Sequence, residues 1–550
     1  MIRRIFIALA VLLSPPVVTA EVVRIPETDP DVIAELQSRF DVWGIDWRAG
    51  YIILHVDADE RAELNAAGYL VETDSVRQRE LERWQSQSFV RVGEGSGTIP
   101  GFDCYRTVEQ THADLAALAS AHPDEVEWID IGDTWQAGAG SAPGDSIFAL
   151  RIGRSASPQP PLVVSAAQHA RELATAEIAT RLAELLVENP NADPDIDWLL
   201  DHREIHIIAQ QNPDGRRRVE AGDAFWRKNH NETACPQGNE SSTWTGIDLN
   251  RNGSFLWQPT SSECGQLYAG PVLASEPETV ALEQYLAEVF EDRRPTNDLT
   301  TPVPVDAEGV FISLHSFGEY VLIPWEGLGG GNENNAPNHD ALTLLGRRFG
   351  YLTDYAVARW QLLPPATGTA VDYAYGELGA AAFTFEVGTT FQQSCASFES
   401  TAWPDNRDAL LLAARAAGSP YLAPSGPAIE NLAVEIDPGF VTVSGTASDD
   451  RYFAGFVTEP PQPDPVDDVV RIRVSIGAPE AVTGQAVVFD LAAPSPSLGF
   501  SVQLPIADLP GPVARLFVTG EDATGRIGLP RAIEIDTELI HASGFESIEE

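Results

Sequence analysis

Three short apolar runs in the middle of this chain each close on a residue able to bind a metal or move a proton. Pro161-Leu162-Val163-Val164-Ser165-Ala166-Ala167 leads into His169-Ala170-Arg171-Glu172, Val310-Phe311-Ile312-Ser313-Leu314 ends on His315, and Phe383-Thr384-Phe385 ends on Glu386. Between such runs lie amphipathic stretches, for example Ala176 to Glu188 with Ile178, Leu182, Leu185 and Leu186 on one face, and the last of them is Asn406 to Ala417. Strands alternating with helices from about residue 102 to 422 predict a largely parallel or mixed sheet covered by helices. In open sheets of this kind, functional side chains collect at the carboxyl ends of the strands.

An imidazole and a carboxylate three residues apart, His169 and Glu172, suit divalent zinc, which takes His nitrogen and Asp or Glu oxygen. A catalytic zinc site needs three protein ligands and an open position, and an isolated H-x-x-E motif is common. A second histidine, His315, and a lone glutamate, Glu386, end further strand-like runs and so strengthen the reading. His202 and His206 are spaced for a metal on a helix, but Glu204-Ile205-His206-Ile207-Ile208 reads as a strand. No G-x-S-x-G motif of a serine hydrolase occurs.

At 550 residues the chain exceeds what one core holds, so several domains are expected. Residues 1–20 have the basic, apolar and small-residue regions of a secretory signal, with an apolar stretch too short to span a bilayer. Residues 21–97 read as a small α/β pro-segment: a strand at Tyr51 to Val56, helices at Asp59 to Ala67 and Val76 to Gln87, then a glycine-rich linker at 93–97. Residues 98–423 form the expected catalytic domain. Short alternating runs over 424–540, at 440–443, 469–476, 487–491, 500–504 and 516–519, predict a β-sandwich, and 541–550 a tail.

The net charge of −46, spread along the chain, argues against nucleic acid and anionic membranes as partners. Cys104, Cys235, Cys264 and Cys395 form an even set, which in an exported protein suggests two disulfides. Cys235 with Cys264 would clip one loop and Cys104 with Cys395 would tie the start of the catalytic region to the segment just after Glu386, although spacing leaves the connectivity open.

Taken together, these motifs resemble the zinc metallocarboxypeptidase family, the group of carboxypeptidases A and B, over roughly residues 102–420. The resemblance implies a mixed eight-stranded sheet with helices on both faces. It implies one zinc ion per chain on His169, Glu172 and His315, with Glu386 as general base. Trp226-Arg227-Lys228 resembles the family segment whose arginine stabilises the oxyanion, which implies that role for Arg227. Asn250-Arg251, in Gly246-Ile247-Asp248-Leu249-Asn250-Arg251-Asn252, resembles the clamp for a free C-terminal carboxylate, and Arg171 a residue that contacts substrate further away. Val371 falls where an apolar side chain accompanies a preference for apolar or aromatic C-terminal residues, while Glu326 introduces a charge that could attract a cation. Pro364 stands where the family carries a mobile tyrosine. The expectation is a secreted, monomeric zinc carboxypeptidase acting on peptide or protein C-termini, without stable membrane insertion. The alternatives are a cell-wall γ-glutamyl peptidase of the same fold and a silent peptide-binding protein.

Overall fold

The computed structural model describes residues 20–536 apart from 28, 47–48, 87–96, 140–143, 190–191, 236–244, 261–262, 295–297, 329–333, 360–365, 438, 453–454, 456–465 and 512. The signal-like start up to residue 19, linker residues 93–96, Pro364 and the tail lie outside the described residues. The chain divides into two compact units, Met1–Ser86 and Gln87–Glu550.

In the first unit an antiparallel sheet runs in the order Asp41–Asp46, Tyr51–Val56, Glu21–Pro26, Glu72–Thr73, accompanied by helices Pro30–Arg39, Ala58–Ala66 and Ser75–Ser86. Val22, Val23, Ile52, Ile53 and Leu54 of these strands are buried, and burial alternates along Asp41–Asp46. Asp57 starts the second helix with a capping box: its carboxylate accepts from the Asp59 and Glu60 N–H groups, and Glu60 accepts from the N–H of Asp57.

The second unit is built on eight strands: β1 (Val126–Asp133), β2 (Ser146–Ile152), β3 (Pro161–Ser165), β4 (Glu204–Ile208), β5 (Val310–His315), β6 (Tyr320–Ile323), β7 (Ala356–Arg359) and β8 (Ala381–Glu386). Their order is β7-β6-β8-β5-β3-β4-β2-β1, a single mixed sheet as the sequence predicts. The central four, β8, β5, β3 and β4, are parallel. Because β3 and β5 are buried along their whole length, their sequences read as unbroken apolar runs rather than alternating ones. Helices flank the sheet, among them α1 (Leu173–Glu188), α2 (Pro277–Val289), α3 (His339–Thr353) and α4 (Trp403–Ala416). Parallel pairing carries the carboxyl ends of β8, β5, β3 and β4 to the same edge, and the register places His315 beside Glu386.

Both disulfides join the pairs named above: Cys104–Cys395 closes a separation of 291 residues and Cys235–Cys264 one of 29. Residues 428–536 form a three-stranded sheet (Ala428–Asp437, Phe440–Ser448, Ser497–Pro505) and a four-stranded one (Val487–Ser495, Val469–Ile476, Val513–Asp522, Arg531–Asp536). Val441, Val443 and Leu504 of the first share one core with Ile472, Val474 and Leu516 of the second, which makes a β-sandwich. This sandwich belongs to the same compact unit as the eight-stranded sheet: Arg348 Nε of α3 donates to the Pro424 carbonyl at 2.6 Å, and the Ala532 N–H donates to Asp195 at 2.7 Å.

Candidate metal centre and catalytic site

Just beyond β3 the backbone turns through Ala167, whose φ of 55° lies in the left-handed region, and α1 begins at Leu173. This tight connection brings both ends of the H-x-x-E motif to the carboxyl edge of the sheet. His169 Nδ1 stands 2.8 Å from Glu172 Oε1, His315 Nδ1 stands 3.2 Å from Glu172 Oε2, and the two Nδ1 atoms are 3.0 Å apart. All three residues are buried.

The donor set fits zinc. Two imidazole nitrogens and a carboxylate oxygen converge, and tetrahedral ligands at roughly 2.0–2.1 Å from an ion stand roughly 3.3 Å from one another. The observed separations of 2.8 to 3.2 Å are close to that edge length. Burial opposes ionisation of Glu172, yet the imidazoles of His169 and His315 hold its carboxyl well below the usual range. For His169, burial and then the Arg227 charge favour the neutral ring that a ligand requires. On His315 burial acts the same way, but Glu172 overrides it and raises the pKa.

Asp248 completes the arrangement, and the sequence reading gave it no role. Its Oδ1 lies 3.1 Å from His169 Nε2, the ring nitrogen facing away from the cluster. Its Oδ2 accepts from Arg227 Nε and Nη2 at 3.1 and 2.9 Å. A carboxylate behind a ligating histidine fixes its tautomer and ring orientation. Burial works against the Asp248 anion, but Arg227 and His169 hold it well below the usual carboxylate range. Ser313 plays a related part for His315, with Oγ 3.0 Å from Nε2. Both signals were in the sequence: Asp248 sits inside the segment quoted for Asn250-Arg251, and Ser313 precedes His315 by two, hence on the same side of β5.

Glu386 ends β8 beside His315. Burial pushes its carboxyl up to about 8, with Glu172 adding to the rise and His315 and Arg227 opposing it. A carboxyl poised near neutrality is suited to accept and return a proton.

Around this centre, Asn250 and Arg251 are buried in the short helix Leu249–Asn252 that Asp248 caps. Arg251 Nη1 donates to the Asn250 carbonyl at 2.7 Å, and Asn250 Oδ1 accepts from the Ala370 N–H at 3.3 Å, linking this helix to the segment of Val371. Val371 is buried. Glu326 is buried as well; Thr384 Oγ1 donates to it at 2.7 Å, and its own N–H donates to Asp372 at 2.9 Å. Burial, and then the neighbouring Glu326, push Asp372 up to about 8. Arg171 is buried with its guanidinium 4.0 Å above the Phe391 ring.

His202 and His206 do not form a pair. His202 ends a helix (Pro194–His202), while His206 lies in β4 with Nδ1 2.7 Å from the Tyr285 hydroxyl. A second group of carboxylates, Asp449, Asp467 and Asp522, converges in the sandwich, where Arg526 bonds Asp522 and Asp467 and lies 3.7 Å from Asp449.

The fold resembles solved carboxypeptidases. Carboxypeptidase A from Helicoverpa armigera superposes with a TM-score of 0.57 at 24% identity, covering 72% of this chain and 97% of that one. Thrombin activatable fibrinolysis inhibitor gives 0.55 at 18% identity, with 72% and 98% covered. In sequence the chain is 27% identical to zinc carboxypeptidase A 1 of Drosophila melanogaster over 50% of its own length and 58% of that protein, and 24% identical to human carboxypeptidase A1 over 56% and 69%. The family model described as zinc carboxypeptidase matches residues 111–409, more than half of the 550. With a buried His-Glu-His cluster at the carboxyl edge of a mixed eight-stranded sheet and a family match across that whole region, the chain belongs to the zinc carboxypeptidase family.

Proposed function

We propose that this protein is a secreted zinc carboxypeptidase that removes the C-terminal residue of a peptide, with apolar or aromatic residues favoured. The observation that carries the reading is the convergence of His169, Glu172 and His315 beside Glu386. One zinc ion on the three ligands would supply Lewis acidity to polarise the scissile carbonyl and acidify the attacking water. Glu386 then takes the proton from that water and returns it to the leaving amine nitrogen. Arg227, held on Asp248 through two of its five N–H groups, keeps others for the developing oxyanion. Asn250 and the planar guanidinium of Arg251 grip the terminal carboxylate, which is what distinguishes an exopeptidase from an endopeptidase. Arg171 contacts substrate further from the scissile bond.

Val371 provides an apolar wall for the C-terminal side chain. The buried pair Glu326 and Asp372 favours a second specificity, because a cationic side chain entering there would relieve the repulsion between two carboxyls. Residues 1–20 act as the export signal and 21–97 as a pro-segment preceding the catalytic domain, with 424–540 as an accessory domain and the monomer as the working form. Among the described residues, no helix is long and apolar enough to cross a membrane.

The test is Glu386→Gln. The variant should keep one zinc per chain and lose about 10²- to 10⁴-fold in turnover on a peptide ending in Phe. Unchanged turnover would remove Glu386 from the mechanism. Peptides ending in Phe, Leu and Arg, compared with muropeptides, define the substrate; cleavage of muropeptides alone would replace this reading with a cell-wall peptidase.

A further inference from the structure

Where helices α3 and α4 meet the first and last strands of the sandwich lies a cavity of about 100 Å³. Arg348 of α3, Arg415 of α4, Arg451 and Arg531 line it, four arginines in one place in a chain with 35 basic and 81 acidic residues. None of them takes part in the catalytic reading.

Their charges are not balanced locally. Arg451 is matched by Glu430 at 3.1 Å and Asp450 at 2.9 Å. Asp195 serves two cations: Arg531 bonds its Oδ2, and Arg415 Nη1 stands 4.0 Å from the same atom. Arg348 directs its donors to neutral acceptors, the Pro424 and Gly426 carbonyls and the Tyr452 hydroxyl. Among the described residues, then, three guanidinia line the cavity with one carboxylate within 4.0 Å of any of them. Burial, and then the neighbouring Arg531, push the Arg415 guanidinium down to about 10, with Asp195, Asp193 and Asp408 opposing the fall. Glu430, which holds Arg451, and Tyr351 also line the cavity, and the rest of its wall is apolar, with Leu352, Leu412, Ile429 and Leu529.

We propose that this junction cavity binds a small organic anion, a carboxylate on a compact aliphatic or aromatic body. A planar guanidinium pairs with a carboxylate through two parallel N–H groups. The apolar wall takes up the hydrocarbon part, and the excess positive charge repels amines and gives neutral isosteres nothing to gain. Inorganic phosphate could use the charge but not the wall.

The test uses the zinc-loaded full chain carrying Arg251→Ala, which removes the carboxylate clamp proposed for the catalytic site, so that its success or failure is independent of that reading. Calorimetric titration with isovalerate should show one saturable site, with phosphate at least tenfold weaker and isoamyl alcohol without measurable binding. Adding Arg415→Gln should weaken isovalerate at least tenfold. Leu412→Phe, which keeps every arginine and fills the space, should do the same, whereas Arg451→Gln, at the matched arginine, should change affinity less than threefold. No saturable site, undiminished binding in both Arg415→Gln and Leu412→Phe, or phosphate binding as tightly as isovalerate would each overturn the proposal.

Discussion

Ligand-type side chains converge twice in this molecule, and the two clusters have opposite fates. At the edge of the eight-stranded sheet His169, Glu172 and His315 face one another, the imidazoles bonded to Glu172, Asp248 and Ser313; the arginine of the neighbourhood, Arg227, is held one residue further out by Asp248. In the sandwich Asp449, Asp467 and Asp522 approach one another around Arg526, which already provides a cation. Counting acidic groups would rank the second cluster with the first. What separates them is whether the positive charge is supplied by the chain and whether a further partner orients the ligands.

The first way to break this comparison is to remove the built-in cation. Arg526→Gln leaves Asp449 and Asp522, both buried, without their shared counter-charge. Loss of one partner from such a group should cost about 2–3 kcal/mol, somewhat under the range for fully buried pairs because Arg526 keeps partial solvent exposure. Urea denaturation measures it, and zinc content and turnover should be unaltered. A change in turnover would mean that the two clusters are coupled.

Asp248→Asn tests the other cluster. Weakening the partner behind His169 should lower zinc affinity about 10- to 100-fold, measured by competition with a chelator. Affinity within twofold of the native value would mean that the His169 ring is oriented by packing alone.

The smallest effect sharpens the comparison through pH. Burial pushes Asp449 up to about 7, above the ordinary aspartate value, despite the nearby Arg348 and Arg526 charges. The folded state therefore holds more protons there than the unfolded chain between about pH 4 and 7, so this residue's contribution to stability declines as pH rises through that window. The slope stays below about 1.4 kcal/mol per pH unit, the ceiling for one proton, and partial solvation lowers it further. Melting temperatures from pH 4.5 to 7.5 should show a shallower decline in Asp449→Asn than in the native protein; equal slopes would exclude Asp449 as the source.

Much of the sheet was legible because the strands that carry the site are buried on both sides and bounded by polar turns. Strands of the first unit at Glu21–Pro26 and Asp41–Asp46 were not, since Arg24 and Gly44 interrupt their pattern and pairing with Tyr51–Val56 is what organises them. The first and last strands of the sandwich were missed for a similar reason: Ala428–Asp437 alternates with Glu430, Asn431 and Glu435, and its register is broken between Glu430 and Ala433. In the site, His169, Glu172, His315 and Glu386 announced themselves by residue type at strand ends. Asp248 did not, because an aspartate before a short helix looks like a cap, and it is one, its Oδ1 accepting from the Asn250 N–H at 3.0 Å as well as facing His169.

Residue order alone determined which side chains can ligate a metal and which short segments extend, because both depend on neighbours within a few positions. Tertiary structure decided which of them meet. His169 reaches Asp248 across 79 positions and His315 across 146. Those meetings rest on strand register: slipping β5 by one residue against β8 would set Phe385 rather than Glu386 opposite His315 and turn the imidazole to the other face of the sheet. The pairing of Arg526 with its aspartates, and the gathering of arginines at the junction, come likewise from contacts between distant segments that no local pattern encodes.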